Sequence, residues 1–332
     1  MHLELVIPGL FQTQANAPAL EMLLARGRRS ASRPATLEDW FARAFGLEGE
    51  PLPAGALTAL ACGLDPGTAH WMRADPVHLR ADRDQVLLFP SQAFSLAPEE
   101  AEPLAATLNL HYAGEFTVHA VRPDAWCLQG GRDLPVGARP PIEIAGRSID
   151  AELPDKRWHA LLNEMQMAMY QHAVNTAREA RGDPVVNGVW LWGGGRLPAA
   201  ASLSNPADWR SLSADDPVAL GLARLAGLRH RTPGAGAVPW LERSPEDGRH
   251  LVVIEALRGA RALGEAEALD RRLRELEERW FAPLLAALRA GRIGMLTVHV
   301  PEAGATFETE RGDLRRFWRR PRMLAEYGDR SA

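Results

Sequence analysis

Long apolar runs that alternate with helical patterns constrain the fold of this chain most strongly. The runs are "LELVI" (Leu3 to Ile7), "HLVVIEAL" and "GMLTVHV", and each is more continuous than a strand with one wet face. Between them lie helical stretches such as "DPVALGLARLAGL" and a long amphipathic one from about Ala266 to Arg289. Buried strands separated by helices predict an α/β fold, in which helices cover both faces of a mostly parallel sheet.

A strand-rich stretch interrupts this alternation. After Arg73 the short runs "VHLRAD", "QVLLF", "EFTVHAV", "AWCLQ" and "IEIAGRSI" are typical of strands, with one helix from about Pro98 to Leu110 among them. A long helical stretch from about Asp155 to Arg181 and the strand "NGVWLW" follow. We therefore predict an α/β core formed by 1–72 and 184–332, with an inserted α+β subdomain at 73–183.

Composition limits the classes of function. Of the 332 residues 46% are hydrophobic, which is enough for a sizeable core, and the net charge of −4 gives no general attraction for polyanions. The two cysteines lack the spacing of a metal site. The N-terminus lacks the basic region of a signal peptide, and no apolar run reaches the roughly 18 residues of a membrane span. We expect a cytoplasmic protein without a membrane segment.

Two groups of polar residues are candidates for a binding site. Arg73 and Asp75 precede the regular alternation of "VHLRAD", and Arg and Asp are the residue types of anion and metal sites. His172, Asn175 and Arg178 are spaced i, i+3, i+6, so they lie roughly on one side of a helix. Each group has a structural alternative, an exposed strand face for the first and a tie to a neighbouring loop for the second.

The stretch "VNGVWLWGGGRLP", from Val186 to Pro198, raises the question of a phosphate loop. Such a loop leads straight into a helix and, in the P-loop, carries a Lys followed by Ser or Thr. Here Pro198 and Pro206 interrupt the following segment and no lysine is present. We predict instead a tight turn that needs positive φ or close backbone packing. Trp190 and Trp192 share one strand face, where they cover a core or wall a pocket.

The C-terminal stretch "RGDLRRFWRRPR" places six arginines around Phe317 and Trp318. Arginines mixed with aromatic residues can bind nucleic acid. Because the patch is short and the chain is acidic overall, we predict a terminal helix docked by its two aromatic rings, and we do not expect nucleic acid as a partner.

Five stretches together resemble the archaeal-type cofactor-independent phosphoglycerate mutases, a group within the alkaline phosphatase superfamily. They are "LELVIPGL", "ACGLDPG", "RADPVHL", "HAVNTAREARGDPVVNGVWLWGGG" and "DPVALGLARLAG". The resemblance extends from Leu3 to about Val300 and is greatest with a bacterial branch described as RpfE-type regulatory proteins. It implies an alkaline-phosphatase-like core sheet with an inserted domain.

The resemblance also implies two divalent metals bound by Asp and His, with a serine that takes the phosphoryl group. The first expected Asp falls on Pro8, and the nucleophile falls on Ala54. The segment after "LVVIEA" contains neither Asp nor His, the late Asp-His pair leaves only His299, and an expected arginine is Trp192. The positions that do match the pattern are Arg73, His172, Asn175, Arg178 and Asn187.

The sequence thus predicts a degenerate, non-catalytic phosphoglycerate mutase-like protein with a regulatory or ligand-binding role. We expect no cofactor, no metal ligands, and a small anionic metabolite or a protein as the partner. The candidate ligand-binding residues are Arg73, Asp75, His78, His172, Asn175, Arg178, Asn187 and Trp192. The alternative is an active mutase or phosphatase with a rebuilt Mn or Zn site, for which Asp75, His78, His172 and His299 would converge.

Overall fold

The computed structural model of the protein describes residues 1–49, 51–130, 134, 139–153, 156–205, 207–243 and 247–328. The chain forms two compact units. The first unit comprises Met1–Glu48 and Ala200–Ala332, and the second comprises Gly49–Ala199. The predicted insertion at 73–183 falls within the second unit, but the structure places both boundaries of that unit further out.

Strands and helices alternate along the described chain. The strands are β1 (His2–Val6), β2 (Arg28–Ala31), β3 (Trp71–Asp82), β4 (Gln85–Pro90), β5 (Phe116–Arg122), β6 (Ala125–Gly130), β7 (Gly188–Gly195), β8 (Trp209–Ser213), β9 (Arg229–Arg231), β10 (Arg249–Val253), β11 (Met295–Val300) and β12 (Ala305–Glu310). The helices are α1 (Pro18–Arg26), α2 (Leu37–Ala44), α3 (Ala54–Ala61), α4 (Pro98–His111), α5 (Lys156–Met169), α6 (Ala173–Arg181), α7 (Pro217–Leu225), α8 (Ala237–Glu242), α9 (Arg258–Ala262), α10 (Ala266–Leu276) and α11 (Ala282–Ala290).

The first unit is built on a sheet with the strand order β2-β12-β11-β1-β10-β8-β9, called here the core sheet. The strands from β11 to β9 are parallel, whereas β12 and β2 add antiparallel pairings at one edge. Leu3 and Leu5 of β1 point to one face, and with Ile7, which follows the strand, they are fully buried in an apolar cluster with helices of this unit. The apolar runs therefore form parallel strands because neither face of the sheet can be wet.

The second unit contains an antiparallel sheet. Its strand order is β4-β3-β6-β5, and β7 pairs with the other side of β3. The sequence predicts that β7 belongs to the α/β core, and this prediction is wrong. β7 pairs with β3 in the second unit, where Trp192 lies opposite Arg73. β3 has twelve residues, so it is long enough to pair with three other strands. The fold as a whole is mixed α/β, with both parallel and antiparallel pairings.

Three predicted elements differ in the structure. The predicted helix from Asp155 to Arg181 is two helices, α5 and α6, because Gln171 adopts φ +61° and His172 caps α6; Asp155 lies outside the described residues. The predicted strand "IEIAGRSI" begins instead as a 3-10 turn, Pro141–Ile144. The predicted helix from Ala266 to Arg289 is α10 and α11 joined by a π-helical turn, Glu277–Phe281.

The C-terminal stretch also departs from its prediction. Its regular structure is a 3-10 turn, Arg311–Arg315, rather than a helix docked by aromatic rings. Phe317 and Trp318 are 78% and 66% exposed. The arginines, rather than the rings, tie this stretch to its neighbours, since Arg319 donates to the Gly27 carbonyl at 2.7 Å. Among the described residues, no helix is both long and apolar enough to cross a bilayer.

Candidate functional site

A cavity of about 350 Å³ opens at the carboxyl edge of the core sheet, beside β8 and β10. Asp215 follows β8, and the segment from Val253 to Ala256 continues from the end of β10. The loop at 233–235, the end of α10 and the π-helical turn form the other walls. The volume is at the small end of the range for ligand pockets, so the cavity matches a metabolite rather than a large cofactor.

Strand order explains why a cavity forms at this place. The chain that leaves β8 runs through α7 to β9, at one edge of the core sheet. The chain that leaves β10 runs through α9, α10 and α11 to β11, in the opposite direction across β1. Connections that diverge from two neighbouring parallel strands leave a crevice at their carboxyl ends, and ligands of open α/β sheets bind in such crevices.

Glu255 is the acidic side chain that β10 carries to this cavity. Burial raises the pKa of the Glu255 carboxyl group, and the carboxylate of Asp216 raises it further. The guanidinium of Arg258, 3.4 Å away, opposes this shift without cancelling it. A carboxyl group with a raised pKa holds its proton closer to neutral pH, so it can donate a hydrogen bond to a ligand as well as accept one.

Arg258 connects two of the carboxyl groups at this edge. Its guanidinium donates to both oxygens of Glu38, at 2.7 and 3.0 Å, as well as to Glu255. Burial raises the pKa of Glu38 even beside this arginine. The guanidinium thus holds the place that a cation would take between the carboxylates.

The metal pair implied by the resemblance does not fit this donor set. Pro8 and Ala54 stand where an Asp and the nucleophile are expected, and neither has a ligating side chain. The oxygens of Glu38 and Glu255 are turned to Arg258. In the described ranges of the chain, no three His, Cys, Asp or Glu side chains are grouped so that they could hold a metal ion.

Positive charge comes to the cavity from the helical side. Arg272 pairs with Glu275 at 3.2 Å, whereas Arg279 is exposed and makes no ion pair or side-chain hydrogen bond with another described residue. Arg279 belongs to the π-helical turn, a distortion that is frequent at functional sites. A Cβ at Gly236 would lie 2.6 Å from the Arg279 carbonyl oxygen, so the loop at 233–236 needs this glycine to pack on the turn.

The residues named from sequence lie elsewhere, in the second unit. Arg73 donates to Asp75 at 2.9 and 2.6 Å, and Trp192 donates to the other oxygen of Asp75 at 2.6 Å. Arg73 also lies over the Trp192 ring, and it reaches Thr58 at 3.3 Å. Burial raises the pKa of Asp75. The structure thus brings together three of the predicted residues, as a buried network that ties β3 to β7 and α3.

The helical group fixes the loop between α6 and β7. Asn175 exchanges hydrogen bonds with the backbone of Val186, at 2.9 and 3.0 Å. Arg178 donates to the Pro184 carbonyl at 2.7 Å and to Glu100 at 2.7 Å. His172 is not on the helix face, since its ring accepts from the Val174 amide as the cap of α6. These contacts match the structural alternative, a tie to a neighbouring loop.

The last two candidates connect β3 to the same loop. His78 lies 2.9 Å from the Val185 carbonyl, and Asn187 bonds to both backbone groups of Leu79, at 2.7 and 2.8 Å. A ligand role for the eight candidates stays a prediction, and each of the eight makes at least one polar side-chain contact with another described residue.

The glycine stretch is explained by packing. Gly193 has φ +57°, and a Cβ there would lie 2.5 Å from the Cβ of Ala54. A Cβ at Gly195 would lie 2.9 Å from Pro53. The positive φ and the close approach are as predicted, but the predicted tight turn is wrong, because Gly193 and Gly195 lie within β7. The backbone that they approach is Pro53 and the start of α3.

His299 has a buried partner that the sequence analysis did not find. Glu4, inside the first apolar run, is 2% exposed and accepts from His299 at 3.0 Å. Arg249 and Trp209 also donate to Glu4, at distances of 2.6 to 3.0 Å. The signal was a lone glutamate in an apolar strand, a pattern that demands partners once the strand is buried.

Polar residues directly after a buried strand were the signal for the cavity as well. Glu255 follows "HLVVI" and Asp215 follows "SLSA", at positions where parallel strands end. The segment after β10 was searched only for the Asp and His that the resemblance implies, and Glu255 was therefore not identified as a candidate.

Fold and cavity together define the class: an α/β protein with a largely parallel core sheet, an antiparallel second unit, and a crevice at a switch point of strand order. No family model matches the chain, and no curated protein matches it.

Solved structures give more particular likenesses. The PH0037 protein from Pyrococcus horikoshii is 14% identical, with 93% of this chain and 87% of that chain covered at a TM-score of 0.53. This likeness shows a shared fold. The chain also aligns with the cofactor-independent phosphoglycerate mutase from Thermoplasma acidophilum DSM 1728, at 19% identity, 98% and 94% coverage and a TM-score of 0.44.

Proposed function

We propose that this chain is a non-catalytic, phosphoglycerate mutase-like protein that binds a small anionic metabolite in the cavity beside β8 and β10. The observation that carries the proposal is that Glu255 and Arg279 both line one cavity at a switch point of strand order. The motif resemblance supports a relation to the alkaline phosphatase superfamily and to its RpfE-type regulatory branch. We propose a cytoplasmic location because the sequence shows no signal-peptide pattern and no membrane span.

The chemistry of the lining favours an anion with an acceptor oxygen. Arg279 supplies an exposed guanidinium, and a protonated Glu255 supplies a donor. Charge-assisted bonds from arginine to carboxylate or phosphate oxygens are among the strongest polar contacts in binding sites. Trp280 and Leu276 give the apolar walls that exclude water around them. The site therefore suits a phosphorylated or carboxylated metabolite of few carbons.

Calorimetry with 3-phosphoglycerate and inorganic phosphate as probes tests this binding. Arg279→Gln removes the guanidinium and should weaken binding by about 10-fold or more, since a hydrogen bond to a charged group contributes about 1.5–3 kcal/mol. Arg271→Gln is the matched control, because it removes an exposed arginine of α10 that does not line the cavity. Equal affinities of the two variants, or no heat of binding with either probe, would refute the anion site.

The alternative, an active mutase or phosphatase with a rebuilt metal site, is favoured by one observation. The carboxylate of Asp216 helps to raise the pKa of both Glu38 and Glu255 at the carboxyl edge of the core sheet, although burial is the larger cause. Turnover assays with added Mn²⁺ or Zn²⁺ decide between the two functions. We expect no metal-dependent turnover; turnover that Glu255→Gln abolishes would establish the enzyme instead.

A further inference from the structure

The segment Arg311–Arg322, called here the arginine segment, is anchored to the protein at both ends, and most of its residues are exposed to solvent. Leu314 packs against the core cluster, and the Arg316 guanidinium donates to the Arg26 carbonyl at 3.1 Å. Beyond the segment, Leu324 and Tyr327 are buried. The chain between these anchors is therefore fixed in place, although it contains no α-helix or strand.

Two aromatic residues, Phe317 and Trp318, lie in the middle of the arginine segment. Phe317 is 78% exposed and Trp318 is 66% exposed, and their centroids lie 5.3 Å apart, edge to face. Nucleic acid was not expected from the sequence because the patch is short and the chain is acidic overall, and a helix docked by these rings was predicted instead. The docked helix is wrong, since neither ring is buried.

Four arginines flank the two rings in sequence and have guanidinium groups that could contact a ligand. Arg311, Arg315, Arg320 and Arg322 are exposed, and their guanidinium groups make no hydrogen bond or ion pair with any described residue. The net charge of −4 opposes a polyanion only weakly at this surface, because salt screens charges beyond about 8–10 Å. The local charge of the arginine segment therefore governs what it attracts.

We propose that the arginine segment binds single-stranded nucleic acid. Unpaired bases offer flat faces that stack on exposed aromatic rings, and the backbone offers a phosphate to each free guanidinium. A duplex offers phosphates but not free base faces, because its bases are stacked on one another, and the segment has no α-helix or strand to enter a groove. Both requirements, rings and charge, are met by the same twelve residues.

Other polyanionic surfaces match the segment less well. Segments that lie on a bilayer surface are amphipathic helices with a continuous apolar face, and the arginine segment contains no α-helix. An acidic peptide would satisfy the arginines but would leave Phe317 and Trp318 without planar partners. Single strands are the polyanion that uses both kinds of side chain.

Fluorescence anisotropy with the full chain and a labelled oligothymidylate of about 20 nucleotides, longer than ordinary site sizes, tests the proposal. Four phosphate contacts predict a slope of roughly −3 in log K against log salt, which is about a 50-fold loss between about 50 and 200 mM salt. Phe317→Ala/Trp318→Ala should weaken binding at least about 5-fold through lost stacking. Arg315→Gln/Arg320→Gln should weaken binding and reduce the salt slope by about half.

Two control variants separate these effects from general ones. Tyr170→Ala removes an exposed ring of the second unit, and Arg271→Gln/Arg274→Gln removes two exposed arginines of α10; both should bind as the unchanged protein does. Binding to a duplex of the same length with equal affinity would overturn the proposal. So would the absence of binding at about 100 µM, the weak end of ordinary nonspecific affinities. Ring-dependent binding to phosphatidylserine vesicles or polyglutamate without oligothymidylate binding would overturn it as well.

Discussion

Replacing Glu4 by Gln should remove about 3 kcal/mol of stability at neutral pH. Glu4 is buried in β1, where His299, Arg249 and Trp209 all donate to its carboxylate. Burial alone would raise its pKa, but the hydrogen bonds and charges of His299 and Arg249 outweigh burial and lower the pKa to about 2. A glutamine keeps one acceptor oxygen and turns an NH₂ group toward side chains that are themselves donors.

The magnitude follows from the linkage between protonation and folding. A shift from 4.5 to about 2 corresponds to roughly 3.4 kcal/mol at 1.36 kcal/mol per pKa unit. Because the pKa in the folded state is the lower one, this stability is complete above the unfolded-state value. It is lost as the pH falls, and about 1.4 kcal/mol is gone when the pH has dropped from about 7 to about 3.5.

Urea unfolding of both proteins over a series of pH values measures this contribution. The difference between the unchanged protein and Glu4→Gln should be about 3 kcal/mol at pH 7, and it should shrink as the solution is acidified. Glu267→Gln, on an exposed position of α10, is the control and should leave stability nearly unchanged. A difference below about 1 kcal/mol, or one that does not vary with pH, would refute the assigned role of Glu4.

Three further substitutions test other parts of the structure. Gly193→Ala should destabilise the second unit by about 2–5 kcal/mol in urea unfolding, because its φ of +57° and the 2.5 Å approach to Ala54 both exclude a side chain. Trp192→Phe should cost about 1.5–3 kcal/mol in the same assay, since it removes the 2.6 Å hydrogen bond to the buried Asp75 carboxylate. Glu255→Gln should raise the melting temperature at alkaline pH relative to the unchanged protein. Its raised folded-state pKa means that stability falls as the pH rises through that value, and the amide removes the loss.

Two of these substitutions, Gly193→Ala and Glu255→Gln, have an informative comparison. Gly63→Ala also changes a glycine with positive φ, but nothing lies within 4 Å of the added Cβ, so the difference from Gly193→Ala isolates the close approach to α3. If both glycine variants lose the same stability, the close packing of Gly193 on α3 is not the reason that a glycine is needed there. A melting-temperature difference for Glu255→Gln that is the same at acid and alkaline pH would contradict the raised pKa.

The parallel strands could be predicted because burial on both faces leaves a direct mark on the sequence. "LELVI", "HLVVIEAL" and "GMLTVHV" became β1, β10 and β11, which are neighbours in the core sheet. The same reasoning concealed Glu4, because one charged residue does not break an apolar run. Its partners come from β8, β10 and β11, far along the chain, and local sequence does not indicate such pairings.

The position of β7 could not be derived from its own residues. Its apolar and aromatic content fits a strand in either sheet, and only pairing with β3 decides between them. The prediction for the C-terminal stretch was wrong for a related reason. Aromatic residues among arginines were taken as the buried side of a helix, but bonds from arginine side chains to backbone carbonyls hold the chain and leave the rings outside.

Four of the residues predicted from sequence tie their own element to another segment, and His172 caps α6; the four are Arg73, Asn175, Arg178 and Asn187. The cavity depends instead on strand order. Asp215, Glu255 and Arg279 come from segments about 20 to 40 residues apart, and each is an ordinary polar residue in its local sequence. They meet because the connections from β8 and β10 diverge, which is a property of the whole core sheet. Motifs in the local sequence therefore lead to the framework of the second unit and do not indicate the cavity.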